Sequence, residues 1–100
     1  MCDCSNCEGC ETKEGMFLDI TSELLDLYLK KNKDYGNAFG DTFKEFGLVS
    51  AVIRINDKVN RLKKLTSTGS QEVKDESIRD TLVDLSNYAI MTIMELDKNE

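Results

Sequence analysis

Not one of the 100 residues is proline, so no position forbids an α-helix from running through it. Against that background the apolar residues recur at steps of three and four, the mark of helices with one buried stripe. Residues Met16 to Lys31 carry Phe17, Ile20, Leu24, Leu27 and Tyr28 in this way and predict a first helix. The polar run from Lys31 to Asn37 ends in Gly36-Asn37, a pair that favours turns with positive φ, and reads as a loop. Phe39, Phe43 and Phe46 then recur at helical spacing, with Gly47 where a C-terminal cap belongs, and predict a short second helix. A third helix is expected from Leu48 to Leu65, burying Leu48, Val52, Ile55, Val59 and Leu62. Beyond a Thr66-Ser67-Thr68-Gly69-Ser70 hinge, a fourth is expected from Val73 to Leu96, burying Ile78, Leu82, Leu85, Ala89, Ile93 and Leu96. Neither strand alternation nor an internal repeat appears. The fold expected is all-α, a bundle of three long helices plus one short one, assembled into an oligomer.

Length and charge narrow the function. A chain this short makes one ordinary domain, so a site wider than one surface requires self-association into a dimer or tetramer. The division expected is a cysteine-rich head at 1–14 and a single helical domain at 15–100. The formal net charge of -6 argues against DNA or RNA polymers as partners, because backbone phosphates are gripped by clustered Lys and Arg in a favourable field. A local basic patch remains compatible with one small phosphorylated ligand. The sequence has no long apolar run, and its start, Met1-Cys2-Asp3-Cys4, lacks the cationic-then-apolar order of a signal peptide. No membrane association is expected, and the place expected is the cytoplasm.

Two polar rows carry the chemistry. On the third helix Arg54, Lys58 and Arg61 follow one another at i, i+4 and i+7 and share a face, with Asp57 beside them. Cations in line repel one another unless an anion lies over them, whether a phosphate or a row of carboxylates. The fourth helix holds Glu76, Asp80 and Asp84 at successive i+4 steps, continued by Asn87 with Tyr88 at its edge. Such a row could hold Mg²⁺, which joins carboxylates to substrate phosphates, or it could neutralise the third helix directly. Tyr35, Asn37, Asn87 and Tyr88 add amides and rings of the kind that read a base edge or stack on it, and tyrosine packing is the plainer reading.

Three stretches carry a resemblance. Lys33-Asp-Tyr-Gly-Asn37, Ile53-Arg-Ile-Asn-Asp-Lys-Val-Asn-Arg-Leu62 and Glu76-Ser-Ile-Arg-Asp-Thr-Leu-Val-Asp-Leu-Ser-Asn-Tyr-Ala-Ile90 resemble, in this order, the signature of the nucleotide modification associated domain family, over about Met16 to Leu96. That family is small, helical and common in phages and prophages. The pattern is also similar, more distantly, to the all-α nucleoside triphosphate pyrophosphohydrolases of the MazG type, which bind Mg²⁺ through Glu-x-x-Glu and Glu-x-x-Asp pairs. Glu76, Asp80 and Asp84 match the second pair only loosely. The third helix offers only Asp57 among its cations, and Glu23 with Asp26 would be a displaced first pair. A cationic helix facing the site favours holding phosphate over assembling two metal ions.

Cys2, Cys4, Cys7 and Cys10 form C-x-C-x-x-C-x-x-C in a chain without histidine. Four thiolates can close a tetrahedral zinc site; the tight spacing also leaves a shared cluster, an iron-sulfur centre or a thiol-bearing tail open. With no histidine to activate a thiol, a cysteine nucleophile is disfavoured.

The leading expectation is therefore a phage-type protein that captures a small phosphorylated nucleotide without cleaving it, for instance a cyclic one that signals host immunity. Arg54, Lys58 and Arg61 would hold phosphate, with Asp57 flanking the row. Lys33, Asp34, Tyr35, Asn37, Asn87 and Tyr88 would surround base and sugar, and Asp80 and Asp84 would orient the cations. The alternatives are a Mg²⁺-dependent nucleoside triphosphate hydrolase using Glu76, Asp80, Asp84 and Asp57 as metal ligands, and a helical interaction module whose charge rows are ion pairs.

Overall fold

The computed structural model describes residues 12–67 and 71–98, with side chains from 77 onward in the second stretch. Four helices follow one another: α1 (Lys13–Tyr35), α2 (Ala38–Phe46), α3 (Leu48–Ser67) and α4 (Gln71–Lys98). The all-α expectation holds, with three long helices and one short. Cys2, Cys4, Cys7 and Cys10 lie outside the described residues, as do Thr68 to Ser70 of the expected hinge and the side chain of Glu76.

The described chain divides into two compact units, at Asp34 and Tyr35. The first is nearly all of α1. This helix begins three residues earlier than expected because Thr12 caps it: the Thr12 hydroxyl accepts a hydrogen bond from the Gly15 N–H at 2.9 Å, satisfying one of the unpaired donors of the first turn. Replacing Thr12 with alanine should destabilise the helix start by about 1 kcal/mol, seen as faster amide exchange in the first turn with the remaining helices unchanged. Of the expected apolar stripe, Leu24 is buried and Leu27 and Tyr28 are half-buried, whereas Phe17 and Ile20 are exposed. Leu18, Leu25 and Leu29 add a second exposed line.

The loop expected from Lys31 is corrected to two residues. Lys33, Asp34 and Tyr35 form the last turn of α1, and only Gly36 and Asn37 leave the helix. Nothing between Lys31 and Tyr35 breaks a helix, and Lys33 in the last turn favours the negative end of the helix dipole. Gly36, at φ 66°, makes the turn.

The second unit contains α2, α3 and α4. As expected, α2 ends at Gly47, whose N–H donates to the Phe43 carbonyl at 2.7 Å. Its φ of 82° and ψ of -169° belong to a region nearly reserved for glycine, so one residue turns the chain straight from α2 into α3. α3 and α4 run antiparallel, because Lys58 meets Asp84 while Arg61, three residues on, meets Thr81, three residues back. Phe43 at 5% exposure and Ala51 at 0% are the core of this unit, joined by the small polar Thr81 and Thr92. The two threonine hydroxyls are satisfied by donating to carbonyls four residues back, Ser77 and Tyr88, each at 2.7 Å.

Here the structure corrects the expected cores of the last two helices. On α3 the half-buried members of the stripe are Ile55, Val59 and Leu62, while Leu48 and Val52 are exposed. On α4 the expected stripe is turned outward: Leu82, Ala89, Ile93 and Leu96 are exposed, and Ile78 and Leu85 are only half-buried. The reason is a single step in register. Each of the four exposed residues follows directly on one that is buried or half-buried, namely Thr81, Tyr88, Thr92 and Glu95. One step turns a helix by about 100°, so the polar line faces α3 and the apolar line faces water.

Candidate functional site

The polar rows of α3 and α4 converge. Lys58 Nζ lies 3.4 Å from Asp84 Oδ2, both side chains being about a quarter exposed. One turn along, the Arg61 Nε donates to the Thr81 hydroxyl at 3.2 Å; that hydroxyl in turn donates to the Ser77 carbonyl, so its oxygen is used both ways. In the other direction come rings. Phe39 of α2 stacks on Tyr88 of α4, centroids 6.0 Å apart and planes 25° from parallel. A cation stands over each ring: Arg54 Cζ is 6.0 Å from the Phe39 centroid and Lys58 Nζ 6.0 Å from that of Tyr88, at the outer limit of cation–π attraction.

Local causes place each of these groups. Arg54, Lys58 and Arg61 keep one face because steps of four and three nearly cancel the helical rotation. Phe39 reaches Tyr88 because the turn at Gly36 and Asn37 starts α2 at Ala38, and Phe39 sits in its first turn above Phe43, 6.5 Å away. The side chain of Asn37 lies over Gly40, where a Cβ would stand only 2.6 Å from its side-chain oxygen. Its carbonyl accepts the Asp41 N–H at 2.9 Å as α2 begins.

The structure thus brings together Arg54, Lys58, Arg61, Asp84 and Tyr88, with Asn87 half-buried beside them. Asp57, Asp80 and Tyr35 are exposed, and Lys33 and Asp34 belong to the other unit. Two members escaped the sequence reading, Phe39 and Thr81. The signal for Thr81 was there in Ser77, Thr81, Asp84 and Tyr88, which hold one face at steps of four, three and four. Phe39 had none, since its spacing to Phe43 reads as core. Among the described residues, no three Asp, Glu, Cys or His side chains gather as a metal site would require. None of the helices, searched over the described residues, is long and apolar enough to cross a membrane.

Chemically, among the described side chains this face sets three cations against one facing carboxylate, a local excess of positive charge in a chain of net charge -6. Arg54 and Arg61 stand about 10 Å apart along α3 with the ammonium of Lys58 between them, a span that suits a polyphosphate. The Lys58–Asp84 pair is also what an interhelical tie with no ligand would contain.

A family model described as "Nucleotide modification associated domain 1" matches residues 31–96. The matched span begins at Lys31 and so leaves most of α1 outside it, while it takes in all of α2 and α3. No curated protein matches the chain. No solved structure matches it either.

Proposed function

The chain belongs to the nucleotide modification associated domain 1 family, and from that premise we propose that its α3–α4 face captures a small phosphorylated nucleotide. One observation carries the reading: Arg54, Lys58 and Arg61 line one helix face with Asp84 as the one facing carboxylate among the described side chains, and with the Phe39–Tyr88 ring pair at the same level. Guanidinium groups offer forked donors to phosphate oxygens, and Lys58 exchanges Asp84 for an anion at little cost because an ion pair a quarter exposed is worth only about 0–1 kcal/mol. In this reading Tyr88 would stack on the base and Asn87 would hydrogen-bond its edge beside the phosphates. Capture is the role, and cleavage is the competing one.

Purified protein incubated with Mg²⁺ and a panel of canonical, modified and cyclic nucleotides, then denatured by heat, separates these outcomes. Recovery of one intact nucleotide per site, with a raised Tm beforehand, is the result expected. Product in excess of protein would make the chain a hydrolase. A melting temperature that no nucleotide moves would leave the charged face a purely architectural tie.

A further inference from the structure

The outward stripe of α4 has an order that its own hairpin does not use. Leu82, Leu85, Ala89, Ile93 and Leu96 are separated by three, four, four and three residues, a pattern that reads the same from either end with Ala89 at its centre. Leu82 is 45% exposed, Ile93 56% and Leu96 44%, Ala89 is exposed as well, and Leu85 is half-buried. A line of large apolar side chains along a water-facing helix calls for a cover. From Leu85 to Met94 the helix carries no charged residue, so nothing along that stretch opposes burial.

We propose that this stripe is the seam of a twofold dimer, in which α4 packs antiparallel on α4 of a second copy of the chain with the symmetry axis passing beside Ala89. A twofold interface requires that whatever residue i meets on its partner also meets i in return. About Ala89 the stripe satisfies this with matched sizes. Leu82 falls opposite Leu96 of the partner subunit and Leu85 opposite Ile93 of the partner subunit, while the two small Ala89 side chains let the helices approach closely at the axis.

Charge complementarity selects a second copy over an unrelated apolar partner. Arg79 precedes Ala89 by ten residues and Asp97 follows it by eight, and both are exposed. At about 100° per residue, both stand about 80° to the same side of the seam, away from α3. In the antiparallel dimer the axis carries Asp97 of the partner subunit to within about 3 Å, measured along the helix, of the level of Arg79. The pair forms twice, once at each end. Within one chain the two residues are about 27 Å apart along α4 and cannot meet. The polar face of Thr81, Asp84 and Tyr88 stays turned toward α3, so dimerisation leaves the cationic site as described.

Sedimentation equilibrium at low ionic strength, with the full chain under reducing conditions, tests the proposal. Wild type should be a dimer. Ala89→Arg, which sets two cations face to face on the axis, should raise the dimer Kd by roughly a hundredfold or more. Arg79→Glu and Asp97→Arg should each weaken the dimer roughly tenfold, and the double variant should recover the wild-type value. The charge reversals sit at exposed positions, so they decide the matter even where Ala89→Arg upsets folding. A monomeric wild type overturns the proposal, as does a dimer indifferent to Ala89→Arg. Two single reversals that fail to rescue each other overturn the antiparallel pairing.

Discussion

Phe43→Ala should lower the stability of the chain by about 3–5 kcal/mol, read as a shift in the urea midpoint at unchanged m-value. Phe43 is 5% exposed and is the one large aromatic side chain buried in the α2–α4 unit among the described residues. Removing its ring leaves a cavity bounded by helices that are held in place by the turn at Gly47 and cannot collapse freely. Domains of this size have a total stability of about 5–15 kcal/mol, so the variant should be partly unfolded at 37 °C. Phe46→Ala is the matched control: the residue is 63% exposed in the chain, and its loss should cost less than about 1 kcal/mol. Equal costs at the two positions would contradict the assignment of Phe43 to the core.

The contrast between these phenylalanines shows where a sequence is legible. Helix positions followed from spacing and breakers: α2 stops at Gly47 as its sequence requires, and α3 and α4 run within about two residues of the expected spans. The start of α1 slipped because Thr12 acts through its side chain, a cap that hydrophobic periodicity does not register. Which face turns inward was harder. Spacing identifies the apolar stripe of α4 but not its neighbour, and the side that meets α3 is the one holding Thr81, Asp84, Tyr88 and Thr92. Small threonines allow close approach and polar groups find partners there, whereas Leu82, Ala89, Ile93 and Leu96 stay outside. A chain read alone gives no hint of whether an apolar stripe faces its own hairpin or another surface.

The same geometry explains which of the expected site residues come together and which do not. Steps of four and three held Arg54, Lys58 and Arg61 on one face, and all three have α2 or α4 side chains as partners. Successive steps of four drift by about 40° each, so the acidic row of Glu76, Asp80 and Asp84 winds around α4. By Asp80 it is exposed, and only Asp84 of the two described side chains arrives against α3. The row that does face α3 alternates fours and threes through Ser77, Thr81, Asp84 and Tyr88, and it is hydroxyl-rich where the sequence suggested carboxylates. Among the described side chains that shift leaves the cations of α3 in excess, and the capture reading depends on the excess.

Single substitutions on the two sides of the Lys58–Asp84 pair should therefore change nucleotide affinity in opposite directions. With ATP as the probe and isothermal titration calorimetry as the measurement, Arg54→Ala should weaken binding roughly 10- to 100-fold, the worth of a charged hydrogen bond to phosphate at about 1.5–3 kcal/mol. Asp84→Asn removes the carboxylate 3.4 Å from Lys58 and should tighten binding several-fold, because among the described side chains an anion then meets three cations and no facing carboxylate. Loss of the Lys58 pair itself costs less than about 1 kcal/mol, since a pair a quarter exposed is screened by water. Raising salt should weaken binding by wild type, and the slope should be shallower for Arg54→Ala, which has one cation fewer on the phosphates. A purely architectural tie predicts otherwise: both substitutions would lower Tm, and neither would alter the heat of ATP addition. Loss of affinity in Asp84→Asn comparable to that in Arg54→Ala would instead make Asp84 a ligand contact, and the excess of positive charge would no longer account for binding.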